Sequence, residues 1–331
     1  MSAPQVQMQR PSYFGKLPSR GDFVKGQYNP QLLKALDEWL SQAMALLAED
    51  PRWKLIYDAA PPLHFACLGS RSRLAIAGHL RPSHDEASRR YPFLAAVPIE
   101  AEAALDFLVG APALLGDCWQ HLAGTVAQLA ASTEPDAPLR GLENWSPAIP
   151  SAFRGSVQAA SYDAFLQGYS LLRVEQMLAF AGHRVSLRRA ILALGMLLQP
   201  VMGSSVPHLE KGLTLPLPSD PACRELVATF WLDLVSQFFA RADLELLVCI
   251  GDVHGRPRLV IGFNGLSPRS LQGVIHPQVY AEQNIEVDNA EWVEESIHSN
   301  YALYKLVSYL DQPQLPLAIV LGTFREVFIG E

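Results

Sequence analysis

The chain has 331 residues, of which 49% are hydrophobic and 18% charged, and its formal net charge is −7. So much apolar content can fill a sizeable core, which excludes a disordered chain, and the length suits one large domain or two. The acidic balance argues against nonspecific binding to nucleic acid or an anionic membrane, since both need a basic face; a local basic patch at Arg71, Arg73, Arg81, Arg89 and Arg90, or solvated strand ends there, stays open.

Residues 1–10 are polar, with no apolar core of a secretory signal, and read as a loose tail. The longest apolar stretch, 190–202, is broken by Gln199 and Pro200 and is too short to span a bilayer. The expectation is a soluble, cytoplasmic protein without membrane insertion. The four cysteines form no CxxC and the nine histidines no HxxxH or HExxH, so no metal motif is visible and no cofactor is expected. Cys67, Cys118, Cys223 and Cys249 sit in apolar contexts, as buried free thiols of a reducing compartment do.

The first structured stretch runs from Tyr13 to Phe23 and reads as a short strand turning into a shaped loop. Gly15 and Gly21 can take positive φ, and Pro18 fixes its own φ and turns Leu17 away from helix. Phe14 and Phe23 would anchor the loop ends while Lys16, Arg20 and Asp22 project or pair. A helix follows from Pro30 with Asn29 as N-cap, its apolar face carrying Leu32, Leu36, Trp39, Leu40 and Leu47. Residues 63–68 and 74–80 alternate as a hairpin, and 93–99 reads as a third strand. Between the second and third strands lies Pro82-Ser83-His84-Asp85, followed by Arg89-Arg90-Tyr91-Pro92. A loop there is held by a rigid sheet. Asp85 and Arg89, four apart, would pair across a helical turn. A network linking Arg20 or Arg89 to Asp22 or Asp85 would set the shape of both loops.

Helices are expected at 102–109 and 113–131, broken at Gly110-Ala111-Pro112. Residues 133–154, with Pro135, Pro138, Pro147 and Pro150, read as a linker. Helical patterns then recur around 162–166, 171–180 and 185–198. Residues 212–218 read as an edge strand, because prolines are barred from a sheet centre. Ser219-Asp220-Pro221 caps a helix reaching to about Arg241. A hairpin over 244–253 and 258–263 turns at His254-Gly255-Arg256-Pro257. Ser267-Pro268 starts a helix, Leu303 to Leu310 marks another, and 316–329 forms a C-terminal docking helix. Glu291, Glu294 and Glu295 mark a solvated face or one that meets a basic partner. The fold class is α/β (α+β): two sheet-plus-helix units with largely antiparallel strands, at 11–132 and 155–331, joined by the linker 133–154.

The stretch 13–23 resembles the N-terminal signature of the TagF family, also called ImpM, of bacterial type VI secretion. A second signature of that family reads glycine, then Pro-Ser-x-Asp, then Gly-Arg, an aromatic and a proline. Pro82, Ser83, Asp85, Arg89, Tyr91 and Pro92 fit it after Gly78, while Ser88 stands where the family has glycine. The resemblance covers about the first third of the chain. It implies a non-enzymatic cytoplasmic accessory protein that represses assembly of the secretion machine post-translationally by binding the forkhead-associated scaffold protein. It also marks Gly15, Lys16, Arg20, Gly21, Asp22, Pro82, Ser83, Asp85 and Arg89 as partner-binding or loop-shaping residues. Two alternatives remain open at this point: a hydrolase-like enzyme with a pocket near His84 and Asp85, and a structural part of the apparatus. Ser83-His84-Asp85 has the residue types of a triad, but triads assemble in space and no GxSxG elbow is present. Gly15-Lys16 lacks phosphate-loop spacing, and Arg20-Gly21-Asp22 is a coincidental integrin tripeptide.

Overall fold

The computed structural model describes residues 10–26, 28–203, 209–240, 243–288, 290–297 and 301–330. The expected tail, but for Arg10, and the helix end at Arg241 lie outside them. The first half contributes strands β1 (Ser12–Gly15), β2 (Val24–Lys25), β3 (Leu63–Gly69), β4 (Leu74–Arg81) and β5 (Phe93–Glu100). The second half adds β6 (Gly212–Pro216), β7 (Glu245–Val253), β8 (Arg256–Gly262) and β9 (Asn284–Glu286). Among the described residues all of them join one sheet in the order β2-β1-β5-β4-β3-β7-β8-β6-β9. Every pairing is antiparallel except that of β6 with β9. The halves meet where β3 runs against β7, from Leu63 opposite Gly251 to Gly69 opposite Glu245.

Alternation of side chains along the strands feeds two cores, one on each face of the sheet. Ala66, Leu68, Ala95, Val97, Val248 and Ile261 point to one, Leu63, Phe65, Leu94, Ala96, Leu247 and Val260 to the other. The second face is covered by α1 (Pro30–Leu47), next to α2 (Trp53–Asp58). The first is covered by α3 (Ala104–Ala131), which leads through α4 (Asp136–Asn144) to α5 (Val157–Gly168), α6 (Leu171–Phe180) and α7 (Leu187–Gly203). Next comes α8 (Pro221–Ser236), buried along most of its length. Then α9 (Pro268–Ile275) and α10 (Pro277–Gln283) lie with α1 on the second face. The chain closes with α11 (Val293–Ile297), α12 (Tyr301–Leu310) and α13 (Leu317–Phe328), which docks Phe324 and Phe328 against Phe238. The Asn29 and Asp220 caps form as expected, their side chains accepting from Leu32 N and Ala222 N. None of the described helices is long and apolar enough to cross a membrane.

Several elements differ from expectation. The stretch Gly110-Ala111-Pro112 does not break the helix. It lies inside α3 and is buried, and a Cβ at Gly110 would stand 2.1 Å from the Phe153 ring. Packing there outweighs the lost backbone bond at Pro112. Strand β6 is not an edge, because β9 pairs beyond it; that ladder spans Gly212 to Thr214 and stops short of Pro216. The second hairpin is tighter than expected, turning on His254 and Gly255 alone at φ 52° and 80°. Two positive φ values match the twist of the flanking strands. Residues 133–154 contain α4, with Leu139 and Leu142 buried. Glu294 meets its basic partner within the chain: Arg188 at 2.6 Å and Arg189 at 2.8 Å hold its carboxyl down at about 2.

Candidate functional site

Register alone brings the two signatures together. Strand β1 ends at Gly15, which lies opposite Phe93, the first residue of β5. The exit of one signature is thus the entrance of the other. Gly15 sits at φ 138°, and a Cβ on it would stand 2.1 Å from the Pro92 carbonyl oxygen. Only glycine lets these backbones approach so closely.

The loops then interlock through ions and backbone. Asp85 is fully buried and its carboxylate is shared. Lys16 Nζ lies 2.9 Å from Oδ2, Arg89 Nε donates to Oδ2 at 2.7 Å, and Arg89 N donates to Oδ1 at 2.8 Å. Burial pushes the Asp85 pKa up, but the bonds from Lys16 and Arg89 outweigh it and hold the group below the usual carboxylate range. Arg89 also reaches the Gly21 carbonyl at 2.8 Å, Glu86 N donates to the Arg20 carbonyl at 3.0 Å, and Ser83 Oγ to the Lys16 carbonyl at 2.7 Å. The second loop closes on itself: Ser88 N donates to Asp85 O at 2.9 Å and Asp85 N to Arg89 O at 3.2 Å. That turn puts Ser88 at φ 59°, left-handed backbone that glycine occupies without strain. Ser88 therefore occupies backbone that glycine would take without strain.

Aromatic rings cover one side of the pair. Phe14 and Phe23 stack at 5.2 Å, Tyr91 meets both edge-on, and Lys16 lies over the Phe23 ring at 5.1 Å. Phe23 is nevertheless 42% exposed. The expected network forms between Arg89 and Asp85, but Arg20 and Asp22 stay out of it. Arg20 forms an ion pair with Asp136 of α4, and Asp22, exposed, accepts from Phe23 N at 2.7 Å. Pro82 and Pro92 border the same small apolar cavity beside Tyr57.

Sequence reasoning missed Tyr57, whose hydroxyl accepts from Ser83 N at 2.8 Å and donates to Ser83 O at 2.9 Å. It also missed Glu143 of α4, which accepts from Tyr13 at 2.7 Å, and Asp58, which grips Arg90 through both oxygens. Tyr57 and Asp58 lie in α2, which has no clear periodic stripe, and α4 lies in the proline-rich stretch, so no local signal marked these partners.

The geometry bears on hydrolase chemistry directly. The Ser83 hydroxyl is buried and committed to the Lys16 carbonyl, while His84 Nδ1 stands 2.9 Å from the Asp85 carbonyl oxygen. The Asp85 carboxylate serves Lys16 and Arg89. A nucleophile–base–orienter line is therefore not assembled from these residues. Cys118 and Cys249 are buried, and burial pushes the thiols of Cys67, Cys118 and Cys249 up to about 12, far from a nucleophilic thiolate.

No curated protein matches the chain. Among solved structures it is similar to the crystal structure of PA0076 from Pseudomonas aeruginosa PAO1, with 22% identity and a TM-score of 0.37. That likeness covers 42% of this chain and 64% of PA0076, less than two thirds of it. A family model, the TagF N-terminal domain, Type VI secretion system-associated, matches residues 12–145. Both signatures, the strands that join them and helix α4 that braces them fall inside the residues that match this Type VI secretion system-associated domain model.

Proposed function

We propose that this chain is a cytoplasmic, non-enzymatic accessory protein of type VI secretion that represses assembly of the machine by binding its forkhead-associated scaffold protein. The observation that supports a binding role is the locked pair of loops. Their ions are spent on one another, so the loops form a rigid shape with no activated nucleophile among Ser83, His84 and Asp85. A preformed surface loses little conformational entropy on association, which favours affinity. The exposed part of this face, Asp22, Phe23, Glu86 and the outer side of Arg89, offers an aromatic anchor rimmed by charges of both signs.

The test is co-purification with the scaffold protein. Glu86→Lys changes an exposed side chain and leaves both the ion cluster and the aromatic stack in place. Association is expected to fall while circular dichroism and the melting midpoint hold. Undiminished association of that variant would remove this face as the contact.

A further inference from the structure

Away from the signature loops, a cleft of about 700 Å³ opens between the start of α3, the 153–155 loop, α5, α8 and α13. Its size is that of a small-molecule site. Leu105, Val109, Leu166 and Leu321 give it apolar wall. On its inner side is a charge the core does not need. Asp233 is 3% exposed and accepts from Tyr162 at 3.1 Å, from Gln237 at 3.1 Å and from Arg325 Nη2 at 2.6 Å. Apolar side chains of similar volume usually replace such a buried pair at no loss of stability.

The donors of Arg325 are not used up by Asp233. A guanidinium carries five N–H groups, and only its bond to Asp233 is made among the described residues. Its Nε is buried there without a hydrogen-bond partner. The acids of the cleft are more fully engaged. Asp106 accepts from Phe153 N at 2.8 Å and Arg154 N at 3.0 Å, with Arg154 Nε at 3.4 Å. Asp163 lies exposed at the mouth. The inner end thus offers donors to one anionic group, and the acids at the mouth disfavour a highly charged one.

We propose that this cleft binds a small monocarboxylate with an apolar body, its carboxylate taken by Arg325 and its body lying on the leucine-lined wall. Octanoate is the probe, titrated by calorimetry into the full chain, with octylamine as the cationic counterpart. Saturable one-site binding of octanoate is expected, with none by octylamine. Ala159→Trp, which fills the cleft without touching its charges, and Arg325→Lys, which keeps the charge on Asp233 but removes donors, are each expected to weaken octanoate by about ten-fold or more. The melting midpoint of each variant, read without ligand, shows that the fold is kept. Failure of octanoate to saturate, equal binding of octylamine, or full affinity in folded Ala159→Trp overturns the proposal. Because no scaffold protein enters the measurement, its outcome is independent of the repressor reading.

Discussion

Gly15→Ala is the sharpest perturbation of the site. The added methyl carbon would stand 2.1 Å from the Pro92 carbonyl oxygen and 2.6 Å from the Phe93 Cα. Both are backbone atoms, so no side chain can swing aside. Alanine at φ 138° carries strain of roughly 1–3 kcal/mol. Parting β1 from β5 there weakens ladder bonds worth about 1 kcal/mol each. The sum is about 3 kcal/mol, a large share of a stability of roughly 5–15 kcal/mol. The same chemical change at Gly124 is the control. That glycine is exposed in α3 with nothing within 4 Å of an added Cβ, and alanine there gains about 0.5–1 kcal/mol through helix propensity. Urea unfolding followed by circular dichroism reads both. Opposite shifts of the midpoint are expected, downward for Gly15→Ala and upward for Gly124→Ala. A Gly15→Ala protein that unfolds with the wild type would refute the argument that close approach fixes this residue.

Two further outcomes follow from the backbone and from burial. Ser88→Gly relieves left-handed strain at an exposed turn but adds freedom to the unfolded chain, so a net gain of about 0.5 kcal/mol is expected in the same urea assay, and Ser88→Val should lose stability. Burial, then the nearby Asp117 carboxylate, raises Glu225 to about 7. The folded state then holds this proton more tightly than the unfolded chain does. The stability that Glu225 contributes is therefore fully present below pH ~4.5 and is lost as pH rises towards 7, by roughly 1–2 kcal/mol once the screening of a part-exposed side chain is allowed for. Glu225→Gln should flatten that slope, and unfolding free energies measured between pH 4.5 and 8 check it.

What could be read from the sequence was local. Asn29 and Asp220 cap their helices because an N-cap needs only its own next few residues. The α1 stripe and the β3–β4 hairpin follow from periodicities of a few residues. Gly21 does not take the positive φ considered for it, but Gly15 could be marked as special, and Asp85 with Arg89 as a pair, from composition and spacing. The reason for Gly15 could not, since it is the Pro92 carbonyl, brought alongside only by the β1–β5 register. The continuity of α3 through Pro112 depends on Phe153, and the inner position of β6 on the three residues of β9, whose propensity is too weak to stand out. In each case a distant contact overruled a correct local signal.

The proline-rich stretch shows what that means for the site. Its prolines suggest a spacer, yet Asp136 and Glu143 of α4 hold Arg20 and Tyr13, and Phe153 packs on Gly110. The first signature is therefore braced from three sides: by β5, by the second loop and by α4. Bracing consumes side chains. Lys16 and Arg89 pair with Asp85 and Arg20 with Asp136, and we propose that these charged signature residues hold the shape. A partner that reads this face meets its exposed side chains, Asp22, Phe23, Glu86 and the outer side of Arg89. Reversing Asp85 would unmake the loops and weaken any contact indirectly, whereas Glu86→Lys changes an exposed side chain outside the ionic and aromatic braces. The difference between the two variants, binding lost with the fold or without it, separates the residues that build the surface from those that touch.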